Sequence, residues 1–451
     1  MAERGKFGSR LGIVLATAGS AVGLGNVWRF PYMTGQNGGA AFIIIYLVCI
    51  LLLGIPGMVS EFIVGRHSQT NAARAYASFS RGKAWGLVGI LGIITSTIIL
   101  GFYAVVAGWC LHYLGASAIG QLKGDTSYVQ HYFQTFSCDP IKPAALGVAF
   151  ILITHFIIVR GVRNGIERAS KLLMPLLLIL LLIIVIASCS LPGALEGVEF
   201  LLKPDFSKVS GKVCLEALGQ AFFSLSLGTA CLCTYASYFS RQTKLLHSAT
   251  QIALIDFLIA LMSGLMIFPA AFSVGVQPDS GPSLIFITLP NIFQQAFSFM
   301  PILGYVISIM FYALLVFAAL TSTISMHEIG TAFFHEELHI NRSKAAWILT
   351  FVCSIIAIFC SLSVGKPDIQ IWGRSLMNFC DFVTAQIMLP AGAMLTSILV
   401  GWFASKTMVR EEFTNWETSN SKSYFKFYMF CVRFIVPPCI LLILMHQFGI
   451  I

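Results

Sequence analysis

Charge is what this chain has least of. Asp, Glu, Lys and Arg make up 10% of its 451 residues, against 57% that are hydrophobic. That excludes an ordinary water-soluble globule, in which about a quarter of the residues are charged. The little charge present leans positive, +9 at pH 7. The basic residues are scattered among short segments and form no patch, so nucleic acid is not an expected partner. No polar low-complexity stretch or linker divides the chain, and a single domain over 1–451 is expected. The twelve cysteines include no C-x-x-C pair and no metal-ligand spacing. Most, such as Cys49, Cys110, Cys353 and Cys439, lie in apolar runs and read as core filling. Cys138 falls in a predicted outer loop without a partner at matched spacing. No cleavable leader is expected, because MAERGKFGSR runs directly into a full-length apolar segment.

What fills the chain instead is apolar runs. Hydropathy gives about eleven, each near the ~20 residues a bilayer helix needs. They lie near 11–36, 41–65, 88–115, 143–160, 167–187, 215–239, 247–274, 299–335, 344–362, 373–403 and 425–449. The architecture expected is an all-α polytopic membrane protein, as monomer or homodimer. Basic clusters such as Arg66/Arg74/Arg81/Lys83 and Arg160/Arg163/Arg168/Lys171 fall on one side of the spans. The positive-inside rule then puts the N-terminus on the cytoplasmic face of a cell membrane. The loops 116–142, 188–214 and 275–298 contain short apolar stretches expected as surface helices.

Two spans are interrupted. The first holds GSAVGLGNVWRFP, with glycines at 19, 23 and 25, then Asn26 and Arg29. Glycines there weaken the helix and free backbone N–H and C=O groups, which lipid tolerates only where they line a cavity. The sixth span holds FFSLSLGTA, with Ser224, Ser226 and Gly228. If spans one to five and six to ten are two repeats, 1–190 and 191–405, both interruptions fall in the first helix of a repeat. Interruptions at corresponding positions of two halves point to a transporter site at the midplane.

Four stretches carry a family resemblance: GSAVGLGNVWRFPYMTGQNGGAAF, GIPGMVSEFIVGR, GQAFFSLSLGTACLCTYASYFS and ALTSTISMHEIGTAFFHEEL. They resemble the neurotransmitter:sodium symporters, in order, from about residue 4 to 403. The resemblance implies a LeuT-type 5+5 inverted repeat with helices 1 and 6 unwound, plus a loop and an eleventh helix in 406–451. It implies sodium-coupled uptake of an amino acid. One sodium site would take the Ala21 carbonyl, Asn26, Ser224 and Asp256, and a second the Gly19 and Val22 carbonyls with Ala318, Thr321 and Ser322. The ligand carboxylate would meet the N–H groups near Leu24 and Gly25 and the Tyr103 hydroxyl. Amine transporters of the family carry Asp at the position of Gly23. Ile99, Phe223, Ser226, Thr229, Ala230, Ser322 and Met326 would set side-chain selectivity for a neutral, hydrophobic or aromatic amino acid, with Thr229 departing from the usual bulky residue. Asp256 stands where many members carry Asn, and Ala260 one turn on offers neither a hydroxyl nor an acid, so no chloride is expected.

The same resemblance implies gates: Arg29 with Asp381 outside, and Arg4 with Glu336, Tyr238 and Ser237 inside. Glu61 is expected to accept hydrogen bonds from freed backbone near the breaks. Gly165 and Pro175 would permit local unwinding of span five. Two rival readings stay open. One is proton coupling through Asp256 or Glu61. The other is an intramembrane zinc protease, since His335-Glu336-x-x-His339 matches a zinc-binding helix pattern, although no third ligand is evident.

Overall fold

The structure is a computed structural model that describes residues 5–79, 83–275, 284–366, 370–416 and 422–450. In chain order its main helices are α1 (Arg10–Ala21), α2 (Gly25–Gln36), α3 (Ala40–Ser68), α4 (Gly86–Ala118), α5 (Lys142–Val159) and α6 (Val162–Cys189). Then follow α7 (Gly211–Ser224), α8 (Cys231–Ala236), α9 (Leu245–Ser273), α10 (Pro301–Glu337), α11 (Arg342–Leu362), α12 (Leu376–Phe403), α13 (Lys406–Thr414) and α14 (Tyr424–Gln447).

Nine of these are long and apolar enough, among the described residues, to cross a bilayer. A tenth span is the pair α1 and α2, bent by 55° at its break. The pair α7 and α8 forms a second broken helix. Short helices occupy the predicted outer loops at Thr126–Ser137, Ala194–Leu202 and Leu289–Ala296. A two-residue hairpin, Gln370–Ile371 with Arg374–Ser375, has no counterpart in the expectations.

Helix ends are set by local chemistry. Ser9 caps α1 by accepting from the Gly12 N–H, and Asn341 caps α11 by accepting from the Lys344 N–H. The centre is α10 packed on α4, with α5 and α11 flanking. The α1–α2 pair rests on α9 and α10, while α7 and α8 lean on successive halves of α3. Aromatics fill the gaps: Trp109 and Tyr113 pack against Phe286, and Phe30 against Tyr46. On α6, Leu178, Ile179, Leu182, Ile183 and Ile186 are exposed along one face. In water that stripe would be a liability, and against lipid it is the required surface.

Candidate functional site

The first break is a short lapse in helix geometry with large consequences. Val22 turns extended, at φ −72° and ψ 111°, and α2 restarts in wide turns at Gly25. A side chain at Gly23 would put its Cβ 2.5 Å from Ser322 Oγ and 3.1 Å from Tyr103 Oη, so only glycine lets α10 and α4 come this close. The freed groups find partners across the break. The Leu24 N–H donates to Tyr103 Oη (3.1 Å), and the Gly23 N–H to Asn26 Oδ1 (3.1 Å).

The second break, residues 225–230, is held from outside itself. Gly228 adopts φ +82°, and its N–H donates to Glu61 Oε1 at 2.7 Å. Ser226 Oγ donates to the Ser20 carbonyl at 3.1 Å, which ties the two breaks together.

Two clusters of polar groups form beside the first break. In one, Asn26 Nδ2 donates to Asp256 Oδ1 (2.7 Å), Ser224 Oγ to Asp256 Oδ2 (2.7 Å) and Tyr46 Oη to the same oxygen (3.3 Å). Asp256 is fully buried, and among the described residues no Lys or Arg pairs with it. Tyr46 was not foreseen; its only signal is a phenol inside an otherwise apolar run. In the second cluster, Thr321 Oγ1 lies 3.5 Å and Ser322 Oγ 3.3 Å from the Val22 carbonyl. Thr321 Oγ1 also donates to the Ala318 carbonyl at 3.0 Å. Both clusters are rich in oxygen donors, the set a hard cation prefers. The buried acid of the first stays ionised only beside a compensating positive charge.

Between the clusters lies a cavity of about 450 Å³. Ala21, Gly23, Leu24, Gly25, Ile99, Tyr103 and Met326 line it. Phe223, Ser224, Ser226, Thr229 and Ser322 complete it, so the expected ligand residues share one space. Ala230 is the exception and corrects the expectation. It takes a left-handed conformation (φ +60°) that starts α8, and it packs on Gly92 outside the cavity.

A model of the sodium:neurotransmitter symporter family matches residues 4–146 and 142–450. An uncharacterized sodium-dependent transporter of Bacillus subtilis is 38% identical over 450 residues, covering 99% of this chain and 98% of the relative. A second, from Haemophilus influenzae, is 33% identical and covers 98% and 97%. The crystal structure of MhsT in complex with L-phenylalanine is 38% identical, with a TM-score of 0.89 over 99% of this chain and all of that one. This chain belongs to the sodium:neurotransmitter symporter family. It is therefore a polytopic membrane transporter of LeuT-type fold and not an enzyme, and the family implies use of sodium.

The two gates expected of the symporter differ in their polar contacts. At the expected outer gate, Arg29 and Asp381 both line the cavity, but no ion pair joins them. The Arg29 guanidinium lies instead over the Phe223 ring, 4.3 Å from its centroid. This departs from the expected closed pair. Of the expected inner latch, Arg4 lies outside the described residues. Tyr238 Oη donates to Glu328 Oε1 at 2.6 Å, and Arg342 pairs with both oxygens of Glu328, which is fully buried. Glu336 accepts from the Asn71 N–H (2.7 Å) and amide (3.1 Å) at the end of α10. Ser237 Oγ donates to the Thr234 carbonyl. At the foot of α1, Glu167 accepts from the Gly8 N–H and the Ser9 hydroxyl. Wide helical turns cover Val162–Glu167, where Gly165 was expected to loosen span five.

The zinc pattern fails on geometry. α10 ends at Glu337, and His339 lies beyond it at φ +52°, so the two histidines do not share a helix face. His335 Nδ1 sits at the Ile340 carbonyl. Among the described residues, no group of three or more His, Cys, Asp or Glu side chains is placed to hold a metal.

Proposed function

We propose that the protein is a sodium-coupled symporter that takes up a neutral, hydrophobic or aromatic amino acid by alternating access, without chloride. Its N-terminus lies on the cytoplasmic side of a cell membrane. Residues 1–190 and 191–405 act as two repeats that rock about the breaks, and 406–451 adds a loop and one helix. One observation carries this reading: Asn26 bridges the buried Asp256 and the Gly23 N–H, at the wall of a largely apolar cavity.

In this reading one sodium ion sits among the Ala21 carbonyl, Asn26, Ser224 and Asp256. A second sits among Gly19, Val22, Ala318, Thr321 and Ser322. The substrate carboxylate meets the Gly25 and Leu24 end of α2 and the Tyr103 hydroxyl, because a helix start favours an anion. Its side chain lies toward Phe223, Ile99 and Met326. That MhsT was solved with L-phenylalanine supports an amino acid of this class. Asp256 supplies the negative charge that chloride brings elsewhere. Closure outside requires Arg29 to leave Phe223 for Asp381. Opening inside requires the Glu328–Arg342–Tyr238 contacts to part, and desolvation keeps such pairs weak enough to break.

The driving force is sufficient. One charge crossing ~100 mV yields ~2.3 kcal/mol and a tenfold gradient roughly 1.4, so two ions support accumulation on the order of 10⁵-fold. Uptake by the reconstituted protein with sodium replaced by choline or lithium, across pH, tests the coupling. Uptake that follows the proton gradient and ignores sodium would assign the work to Asp256 or Glu61 as proton carriers. The placement of the ligand is tested by Gly23→Asp, which sets an anion and extra bulk against the substrate carboxylate. Loss of amino-acid binding is expected in an equilibrium assay, and unchanged affinity would move the ligand elsewhere.

A further inference from the structure

A second cavity, of about 440 Å³, lies far along the chain from the substrate path, between α13 and the start of α14. Four cations converge on it. Lys406 and Arg410 stand four residues apart on one face of α13, and Lys426 and Arg433 come from α14. Among the described residues no carboxylate lines it. The nearby Glu412 is committed elsewhere, to Arg66 at 2.7 Å and His67 at 3.3 Å. Burial alone would raise the Glu412 carboxyl, but hydrogen bonds from His67 and Arg66 hold it below its ordinary range, so it stays charged and engaged there.

The floor of the cavity is apolar, with Phe425 and Met429 both 7% exposed. Arg433 spends its Nε–H on the Gly401 carbonyl and lies over the Trp402 ring. Among the described residues no protein acceptor takes its remaining N–H groups. A half-buried guanidinium with spare donors in a membrane span calls for an anion. Beside it, Trp402, Phe430 and Phe434 are each more than half exposed, a surface suited to acyl chains and not to water.

We propose that this cavity binds the phosphate headgroup of an anionic phospholipid, with its acyl chains lying over Phe430 and Phe434. A cationic cavity with a bare aromatic flank fits a phosphodiester that carries its own hydrocarbon, and a soluble phosphate would leave that flank uncovered. The site explains why a span tolerates Arg433.

Purified, delipidated full-length protein in a neutral detergent tests this by thermal unfolding and by native mass spectrometry. The additions are phosphatidylglycerol, phosphatidylcholine or inorganic phosphate. Phosphatidylglycerol is expected to raise the melting temperature by several degrees more than phosphatidylcholine. Lys406→Gln with Lys426→Gln, both at exposed positions, should lower its affinity on the order of tenfold or more, at ~1 kcal/mol per basic residue. Lys426→Arg should retain it. Equal stabilisation by phosphatidylcholine, equal stabilisation by inorganic phosphate, or full phosphatidylglycerol binding by the double variant would each overturn the proposal. Should the double variant unfold, the count of phosphatidylglycerol against phosphatidylcholine molecules retained by the wild-type chain decides the matter alone.

Discussion

The two polar clusters beside the first break are built on opposite plans. The Asp256 cluster is organised around an acidic side chain, buried and ringed by Asn26, Ser224 and Tyr46. The Thr321 cluster has no ionisable group and relies on hydroxyls and carbonyls. In lipid a buried carboxylate is costly until a cation arrives, whereas hydroxyls can close on their own helix at little cost. With sodium in both, as proposed, the first cluster should therefore depend on its ion for integrity, and the second should give it up more readily.

That contrast can be broken by substitution, and the largest effect falls on the charged cluster. Asp256→Ala is expected to weaken sodium-dependent ligand binding on the order of a hundredfold or more, to judge from the loss of one partner of a buried pair. Scintillation proximity in sodium against potassium measures it, and wild-type binding would refute the charged plan. Asp256→Asn should bind weakly and recover in chloride, which the same assay reads. Next comes Thr321→Ala with Ser322→Ala. Each hydroxyl contributes about 1 kcal/mol, so roughly tenfold or more in sodium affinity should go, with a lower Hill coefficient. An unchanged Hill coefficient would leave the second cluster without an ion. The smallest effect belongs to Tyr46→Phe, which removes one long hydrogen bond and should cost about two- to threefold. A loss as large as that of Asp256→Ala would make Tyr46 an equal member of the cluster.

Much of this was legible in the residues. Glycines at 19, 23 and 25, and again at 228, marked the breaks, because helix propensity and lipid act on the same local stretch. What escaped depended on conformation or on distant packing. Ala230 was misplaced because a left-handed backbone turns it away from the cavity, and no neighbour in sequence announces that. The Glu328–Arg342 pair was missed because its members flank a helix end and meet only after α11 folds back on α10. Arg29 and Asp381 were expected in contact. The aromatic face of Phe223, about two hundred residues away, holds the guanidinium instead.

Asn26 has a consequence of its own. Its nitrogen holds the Asp256 carboxylate and its oxygen holds the Gly23 N–H, so one planar amide spans both. Such a group cannot swing at one end and stay still at the other. Whatever settles on the acid therefore also sets the attitude of the peptide turn where, on the proposed reading, a passenger would rest, so that cargo and fuel would be weighed on the same short lever.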